Sequence, residues 1–506
     1  MKNWKFIVFL LTFIVAVTQT SSPVFAVSAN DVNQAVTKTV TYNHSQYSAK
    51  GLAALDDWAL IGLALSGQQL DTAKWGGASS LRTELEKRAK QLDPRKTTDY
   101  ARFVLTVIAA GFDPNNFAGM NFVQTIKKSQ LANGKFADST NGEGQTLINA
   151  HIWSIIALYS AGEQIPKAKL VKSWLVSKQL PDGGFNFMTG GKQSGVDMTA
   201  MGLLAYRSLG MTKNEQPVSK AIAFLKRSQG ADGGYSEGGV SNVESDANVI
   251  SALIAYQEDP LQWKKGTKGV VDHLFTFQKS DGSFSHTKAG LSNKIATAQA
   301  LLGLSDLQRK NSYIHLLRQK AGVKKLASLQ DLKQTYWAYK EISYLVQNGY
   351  LQGVTSTYMQ PDTAVTRAQF AALLLRAIGE EPQAKAQGIF RDVAVTDWTA
   401  PIVEKASQLG LIQGSKGYFN PHKPITHEEM AVIVSRVSNK YGWTKTATGA
   451  TPYVPYNQVS SWAITSVKDL HKRKFLGGTS SRNFYPKATV TRAEASVMLY
   501  RLLLAR

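Results

Sequence analysis

The sequence has no cysteine in 506 residues, and acidic residues are scarce beside basic ones. The absence of cysteine excludes disulfides, thiolate metal sites, cysteine nucleophiles and thioesters, so the fold depends on packing alone. Lys and Arg outnumber Asp and Glu by 58 to 36, which gives a net charge of +22. A basic surface of this kind favours polyanionic partners, namely nucleic acid, anionic lipid or an acidic wall polymer.

The N-terminus lacks an apolar run long enough to span a membrane. Residues 6–17 are apolar except for Thr12, which is shorter than the roughly 20 residues of a spanning helix. Lys2 and Lys5 precede this run and small residues follow it, as in a secretory signal peptide. We predict cleavage after Ala26, with an uncleaved anchor as the alternative. Export excludes nucleic acid as a partner, and cleavage leaves no stable membrane span. An exported protein without cysteine fits the exterior of a Gram-positive bacterium.

An internal repeat runs from about residue 50 to residue 320 and indicates one of at least two domains. Gln130, Gln179, Gln229 and Gln278 each open a Gly-containing turn that ends in an aromatic residue. A predicted helix precedes each turn. Between the turns lie small-residue apolar stretches with helical spacing, at residues 52–67, 98–111, 149–162, 197–210, 245–256 and 294–304.

These turns and helices resemble the prenyltransferase and squalene-cyclase repeat, whose turn is Gln-x-x-Asp-Gly-Gly-Phe or a Trp variant. The resemblance implies an all-α fold, an α6/α6 toroid over residues 51–325 with the small-residue helices inside. We expect residues 27–50 to be a loosely packed lead-in segment. Asp and Gly explain the turns as scaffold, since they allow tight turns and positive φ. Enzymes, vitamin carriers and immune proteins share this toroid, so the fold leaves the function open.

Three chemistries known for this fold lack their residues here. The zinc site of protein prenyltransferases needs a cysteine, and the sequence has none. Class II terpene cyclases use an Asp-x-Asp-Asp acid, and Asp56-Asp57 lacks the first carboxylate. Thioester proteins need Gly-Cys-Gly-Glu-Gln, which residues 142–145 only echo. We therefore predict no metal, no cofactor, and neither prenyltransferase nor cyclase activity.

Polar residues near the starts of the inner helices are the candidate site of the toroid. Because these residues occupy similar positions in their helices, we expect them to lie near one rim of the ring. As helix caps they would be structural, and as paired carboxylates they would act as acid and base on a glycan. The favoured hypothesis is a toroid that binds a small molecule or glycan, and the alternative is a polysaccharide lyase or hydrolase. The candidates are Asp57, Asp99, His151, Asp197 and Asp246, with Lys294 in the same phase.

A second repeat occupies the last third of the chain, with predicted units at residues 331–380, 388–440 and 456–506 and a linker at 441–455. Each unit has a tryptophan that opens a helix, then a Gly-rich turn, then a second helix. The second helix starts with VTRAQ at Val365, ITHEE at Ile425 and VTRAE at Val490. The pattern resembles three mainly helical S-layer homology modules, whose signature is Ile-Thr-Arg-Ala-Glu. The tryptophans are Trp337, Trp398 and Trp462.

The sequence offers no structural reason for an arginine at the third position of the motif. The Thr and the acid or amide three residues later form a capping box, whereas Arg367 and Arg492 oppose the helix dipole. The resemblance implies that these arginines hold an acidic, often pyruvylated, wall polysaccharide while the tryptophans offer a flat face to its sugar rings. Core tryptophans and arginine–carboxylate pairs are the alternatives. His427 replaces the arginine in the second module and Gln458 replaces an aspartate in the third, so unequal grooves are expected.

Overall fold

The computed structural model describes residues 27–355, 357–380, 382, 386–443, 445–447, 451–476 and 483–505. The predicted signal peptide, residues 1–26, lies outside these residues. Among the helices of the described part, none combines the length and the apolar character that a membrane crossing requires. The predicted linker contains residues 444 and 448–450, which also lie outside the described part, and the predicted domain boundaries stay predictions.

The first part of the chain is a succession of short helices joined by Gly-containing turns, with two small hairpins, β1–β2 (Ser236–Glu237 and Val240–Ser241) and β3–β4 (Lys264–Lys265 and Lys268–Gly269). In chain order the helices are α1 (Ala29–Lys50), α2 (Asp57–Leu65), α3 (Gly77–Ala89), α4 (Thr97–Ala109), α5 (Phe122–Lys128), α6 (Ile148–Ser160), α7 (Ala168–Ser177), α8 (Val196–Ser208), α9 (Gln216–Ser228), α10 (Val243–Ala255), α11 (Val270–Phe275), α12 (Lys294–Arg309) and α13 (Tyr313–Ser328).

Six of these helices close into a ring. Helices α2, α4, α6, α8, α10 and α12 each pack on the next, and α12 packs back on α2. Small residues permit this close approach: a Cβ atom on Gly303 would lie 3.0 Å from the Cα atom of Ala247, and one on Gly62 would lie 3.2 Å from Leu301. The other helices pack outside this ring. The predicted all-α α6/α6 toroid is therefore confirmed.

The expectation of a loosely packed lead-in at residues 27–50 is wrong, because this segment is an outer helix of the ring. Val32, Ala35, Val36 and Val40 are buried on one face of α1, and α1 packs on α12. The exposed face is rich in Asn, Gln, Thr and Lys, which lowers the average hydropathy and hides the i, i+3, i+4 spacing of the buried residues.

The repeated glutamines fasten each turn to the next outer helix. The Nε2 atom of Gln179 donates to the carbonyls of Gly183 and Pro217, both at 2.8 Å, and Gln229 donates to those of Gly233 and Trp263. Gln278 donates at 3.2 Å to the carbonyl of Ala35, in α1. The N-terminal helix therefore occupies the position after the last repeat and completes the outer layer.

We predict that Gly183→Ala destabilises the toroid strongly. Gly183 has φ +92°, and a Cβ atom there would lie 2.4 Å from the carbonyl oxygen of Lys220. The left-handed backbone alone costs an alanine about 1–2 kcal/mol, and the clash adds to it. Chemical denaturation should therefore show a loss of about 2 kcal/mol or more in the free energy of unfolding. Gly190→Ala is the control, because nothing lies within 4 Å of its Cβ position. Equal losses in the two variants would contradict this packing.

Helix α13 crosses the ring at the C-terminal ends of the inner helices. It packs on α4 and α6, and Tyr313, Ile314 and Leu317 are buried in the toroid core. Leu326, near its end, belongs to the second hydrophobic core instead. This helix therefore covers one mouth of the toroid and joins the two parts of the protein.

The three C-terminal modules form one unit around a shared core. The residues directly before the three motif threonines are linked in a cycle of backbone hydrogen bonds. The N–H of Val365 donates to the carbonyl of Val490, that of Val490 to the carbonyl of Ile425, and that of Ile425 to the carbonyl of Val365, each at 2.9 Å. Because the third module bonds back to the first, three junctions exist between the modules. The helices are α14 (Tyr339–Gln347), α15 (Arg367–Ile378), α16 (Ala400–Gln408), α17 (His427–Tyr441), α18 (Ile464–Lys472) and α19 (Arg492–Leu504).

Candidate functional site

Capping boxes fix the first turn of α15, α17 and α19. The hydroxyls of Thr366, Thr426 and Thr491 accept a backbone N–H three residues on, and the side chain at that position accepts the N–H of the threonine. The threonines and acids of the motif therefore have the predicted structural role. The residue directly after each threonine is held at a junction between two modules.

Arg367 lies at the junction of the first and second modules. Its Nε atom donates to the carbonyl of Phe419 at 2.9 Å, and its Nη1 atom lies 2.9 Å from the Glu429 carboxylate. The guanidinium also lies 4.8 Å from the centre of the Phe419 ring. A groove of about 470 Å³ opens beside it, to which Arg436 and Trp462 contribute. Trp462 comes from the third module, so all three modules shape this groove.

Arg492 lies at the junction of the third and first modules, where no acid matches Glu429. Its Nη2 atom donates to the carbonyl of Gln352, and its buried Nε atom has no hydrogen-bond partner among the described residues. Burial lowers the pKa of Arg492, and the nearby charge of Arg376 lowers it further. The motif residue that corresponds to Glu429 in the neighbouring module is Gln369, which is neutral. This junction therefore carries the least compensated positive charge.

His427 lies at the junction of the second and third modules and is 6% exposed. Its Nε2 atom is 3.3 Å from the Glu494 carboxylate, and its ring meets that of Phe484 edge-on at 5.8 Å. Burial acts to raise the pKa of Glu494, but bonding to His427 and to the Thr491 N–H lowers it overall. The histidine is thus enclosed between a carboxylate and an aromatic ring.

The three tryptophans lie on the surface rather than in the core. Trp337, Trp398 and Trp462 are 40%, 57% and 57% exposed. Their faces are therefore accessible, and the core interpretation of these residues is wrong. Trp462 lines the groove of Arg367 and Arg436, so the apolar face of its indole ring can contact a ligand there.

The aspartates that precede the tryptophans hold a loop in each of the first two modules. Asp392 accepts the N–H groups of Phe419 and Asn420, and Asp331 accepts those of Met359 and Gln360. In the third module Gln458 stands in this place, and the carbonyl of Tyr453 accepts the N–H of Phe484 instead. The loss of the aspartate is thus compensated by the backbone.

Sequence reasoning missed a second arginine in each motif helix. Nine residues after the motif position stand Arg376, Arg436 and Arg501. Nine residues make two and a half helical turns, so the second arginine lies on the opposite face of its helix. Two of the helices therefore serve two junctions each: Arg436 of α17 enters the groove of Arg367, and Arg376 of α15 approaches Arg492. The repeated spacing of nine was the available signal.

In the toroid, two of the candidate residues form an ion-pair network at the uncovered mouth. Asp57 accepts from Arg88 at 3.1 Å and from Arg102 at 3.2 Å, and Asp99 accepts from Arg102 at 3.0 Å. A cavity of about 460 Å³ lies here, with Trp58 and Lys294 among its lining residues. Trp58 packs on Trp153 at 5.2 Å, so aromatic faces and paired charges meet inside this mouth.

His151 and Asp246 point into the wall of the ring, so the expectation of one common rim is wrong for them. Each accepts the backbone N–H of a repeat aromatic residue, from Phe136 to Nδ1 of His151 at 3.0 Å and from Tyr235 to Asp246 at 2.9 Å. Burial lowers the pKa of His151 to about 3, so it is neutral. Burial raises the pKa of Asp246 to about 6, although His273 lies 2.5 Å away. Both residues support the turns.

The capping interpretation is also wrong for Asp99, Asp197 and Asp246, which lie inside the first helical turn. The residues that cap inner helices are Asp56, Asn242 and Asn293, one position before the helix begins. The start of α8 is capped from the next repeat, because Glu237 accepts the N–H of Val196 at 2.7 Å. A cap supplied by a distant loop leaves no trace in the local sequence.

Asp197, in the first turn of α8, is the remaining candidate of the toroid. Its Oδ1 atom is buried without a hydrogen-bond partner among the described residues. Burial, helped by the nearby charge of Glu237, raises its pKa to about 6. Within the described residues, no group of three His, Asp or Glu side chains is arranged to bind a metal ion.

We predict a pH-dependent stability gain from Asp197→Asn. Because the folded-state pKa lies above the ordinary value of 3.8, the unfolded chain ionises first and the wild type loses stability as pH rises from about 4 through 6. The variant should therefore match the wild type near pH 4 and exceed it by about 1–3 kcal/mol above pH 7. Thermal unfolding across this range measures the difference. A gain that is independent of pH would contradict the raised pKa.

Together these features define a two-part protein: an α/α toroid with one covered mouth, and a three-module unit with charged grooves. The chain carries three S-layer homology domains, which match at residues 329–371, 389–431 and 456–496. Residues 104–258 match the prenyltransferase alpha-alpha toroid domain. The S-layer homology domains assign the protein to the cell surface, at the cell wall or S-layer, and give it an anchoring part.

The curated relatives share one part of this chain. It is 34% identical over 182 residues to the exoglucanase XynX of Acetivibrio thermocellus, covering 36% of this chain and 17% of that protein. It is 33% identical over 177 residues to an amylopullulanase of Thermoanaerobacterium thermosulfurigenes, covering 35% and 9%. The chain thus spans less than a fifth of the length of either. The unsaturated glucuronyl hydrolase structure from Bacillus sp. GL1 has a TM-score of 0.43 at 11% identity, covering 56% of this chain and 97% of that one. At this score the likeness says nothing about ligands.

Proposed function

We propose that the protein attaches non-covalently to an anionic, pyruvylated secondary cell-wall polysaccharide through its module grooves. The supporting observation is the position of Arg367 and Arg492, each held at a module junction by bonds to backbone carbonyls. A guanidinium fixed in this way presents its remaining donors to a carboxylate. The exposed tryptophans offer flat faces to the sugar rings. We expect the groove at His427, between the second and third modules, to bind most weakly.

Sedimentation with purified walls tests the anchoring. We expect the chain without residues 1–26 to sediment with walls, and to stay in solution once the acidic polymer has been extracted. Binding should weaken as salt rises, because the attraction is between charges near the surface. Full binding to extracted walls would show that the grooves do not recognise the anionic polymer.

We further propose that the toroid binds a small molecule or glycan in its uncovered mouth. Trp58 and Trp153 provide apolar faces there, and Asp57 and Arg102 provide polar contacts beside them. The opposite mouth is covered by α13, so a ligand has one approach. An attached toroid of this kind would hold its ligand at the cell surface.

A second function, cleavage of a polysaccharide by the toroid, is favoured by the raised pKa of Asp197. A carboxyl with a pKa near 6 is partly protonated at neutral pH and can therefore act as a general acid. A screen for released reducing sugar and for unsaturated uronate products separates the two functions. Cleavage that Asp197→Asn abolishes would establish the enzyme, and binding without cleavage would establish the carrier.

A further inference from the structure

A cleft lies between the toroid and the first module, separate from the module groove at Arg367 and from the uncovered toroid mouth. It encloses about 560 Å³ and is lined by the C-terminal turns of α6 and α8, by α13, and by residues of the first module. Its position follows from the fold, because α13 carries the first module across the covered side of the ring. The cleft shares Arg376 with the junction of Arg492, and its other lining residues belong to neither of the grooves described above.

Three arginines face the cleft, and two of them have donors to spare. Arg318 joins the toroid to the first module, because it donates to the carbonyls of both Tyr159 and Asn348. Arg207, from α8, and Arg376, from α15, each have a buried Nε atom without a hydrogen-bond partner among the described residues. Because these Nε atoms are shielded from solvent, the terminal Nη groups of the two guanidiniums are the donors that can reach an acceptor in the cleft.

The acidic residues of the cleft are ion-paired with lysines, although the charge of Glu163 also acts on Arg318 and Arg376. Glu163 lies 2.8 Å from both Lys127 and Lys325, and Glu380 lies 2.6 Å from Lys169. Burial acts to raise the pKa of Glu163, but its two lysines bring it to about 2, so it stays ionised and paired. The carboxylates are thus already bound to lysines, and the cleft keeps a positive potential.

The histidine of the cleft adds no charge of its own. Burial, together with the charges of Arg207 and Arg318, lowers the pKa of His315 to about 4. A neutral imidazole provides one donor and one acceptor. Its ring meets that of Tyr159 edge-on at 5.6 Å, so an aromatic wall stands beside the arginines.

We propose that this cleft binds a carboxylated sugar. The free guanidinium donors of Arg207 and Arg376 match a carboxylate, and the cleft is much larger than a simple inorganic anion needs. Gln164, Thr212 and the neutral His315 also line the cleft, and their side chains can exchange hydrogen bonds with sugar hydroxyls. A phosphate ion has few hydroxyls to offer them. The ligand class is therefore one that carries an acid and several hydroxyls together.

Calorimetric titration of the full chain without residues 1–26 tests this site, with D-glucuronate, D-glucose and inorganic phosphate as probes. We expect glucuronate to bind and the other two to bind at least tenfold more weakly. Arg207→Ala should weaken glucuronate binding at least tenfold, whereas Arg82→Ala, on the exposed face of α3, should leave it unchanged. Thr212→Trp, which fills the rim of the cleft without altering charge, should also weaken it.

Several results would overturn the site. These are equal binding of glucose, equal or tighter binding of phosphate, unchanged affinity in both cleft variants, or loss of glucuronate binding on Arg367→Ala in the module groove. Wall sedimentation of Arg207→Ala identifies the natural source: reduced sedimentation indicates the wall polymer itself, and unchanged sedimentation indicates a soluble sugar acid. Glucuronate binding by a chain that fails to sediment would keep this site and reject the anchoring proposal.

Discussion

Arg492→Ala is expected to weaken wall binding more than any other single change in the three modules. Its guanidinium has a buried Nε atom without a partner, and the neighbouring module offers Gln369 where the other junctions have glutamate. A charge-assisted hydrogen bond to a carboxylate contributes about 1.5–3 kcal/mol. The dissociation constant for walls should therefore rise about 10- to 150-fold. Sedimentation at a series of wall concentrations measures this change.

The matched variants rank the three junctions. Arg367→Ala should weaken binding less than Arg492→Ala, although still about tenfold, because Glu429 already shares the charge of Arg367. His427→Ala should change binding least. Gln369→Glu keeps the capping box, as Glu494 does, but places a carboxylate opposite Arg492, so it should weaken binding without loss of stability. Arg227→Ala, exposed on the toroid, is the charge control.

Release of the protein from walls by His427→Ala alone, with both arginine variants still bound, would reverse this order and reject the assignment of the grooves. A loss of binding in Arg227→Ala equal to that in Arg492→Ala would show that overall charge, rather than the junction, determines attachment.

Removal of residues 27–50 is expected to unfold the toroid. Each buried valine of α1 contributes about 1.5–3 kcal/mol, and α1 buries Val32, Val36 and Val40 against the ring. Their sum approaches the roughly 5–15 kcal/mol that separates a folded domain from its unfolded state. Deletion also leaves Gln278 without its acceptor at Ala35. Circular dichroism and calorimetry of residues 51–506 beside residues 27–506 should show loss of the toroid transition.

A point variant gives the same test without truncation. Val36→Asp places a carboxylate in the buried face of α1 and should destabilise the toroid by several kcal/mol, on the order of 3. Gln34→Asp makes the same charge change on the exposed face and should have little effect. Similar unfolding of both variants, or a stable fragment 51–506, would show that α1 is dispensable.

The sequence predicted the inner helices well because small apolar residues at helical spacing and glycine stops are local signals. The same holds for the capping boxes, which depend on two residues three apart. Residues 27–50 were misjudged because their apolar positions are few and are separated by many polar ones, so only the partner surface on α12 reveals the buried face.

The candidate residues of the toroid could not be sorted from the sequence, since their roles depend on partners far along the chain. Asp246 pairs with His273, 27 residues away, and Asp57 meets Arg88, 31 residues away. The candidates seemed to occupy equivalent positions in their helices, but these positions differ by one to three residues from the helix start. This difference is enough to turn His151 into the wall while Asp57 stays at the mouth. Side-chain direction in a helix changes by about 100° per residue.

The cyclic bonding of Val365, Ile425 and Val490 gives truncation an uneven effect. In a linear array, loss of a terminal module would remove one junction and leave the remaining ones intact. Here each module borders two junctions, so deletion of the last one removes the grooves of His427 and Arg492 together. It also takes Trp462 from the groove that remains. A chain with two modules should therefore keep one incomplete groove and only a small part of the attachment of three.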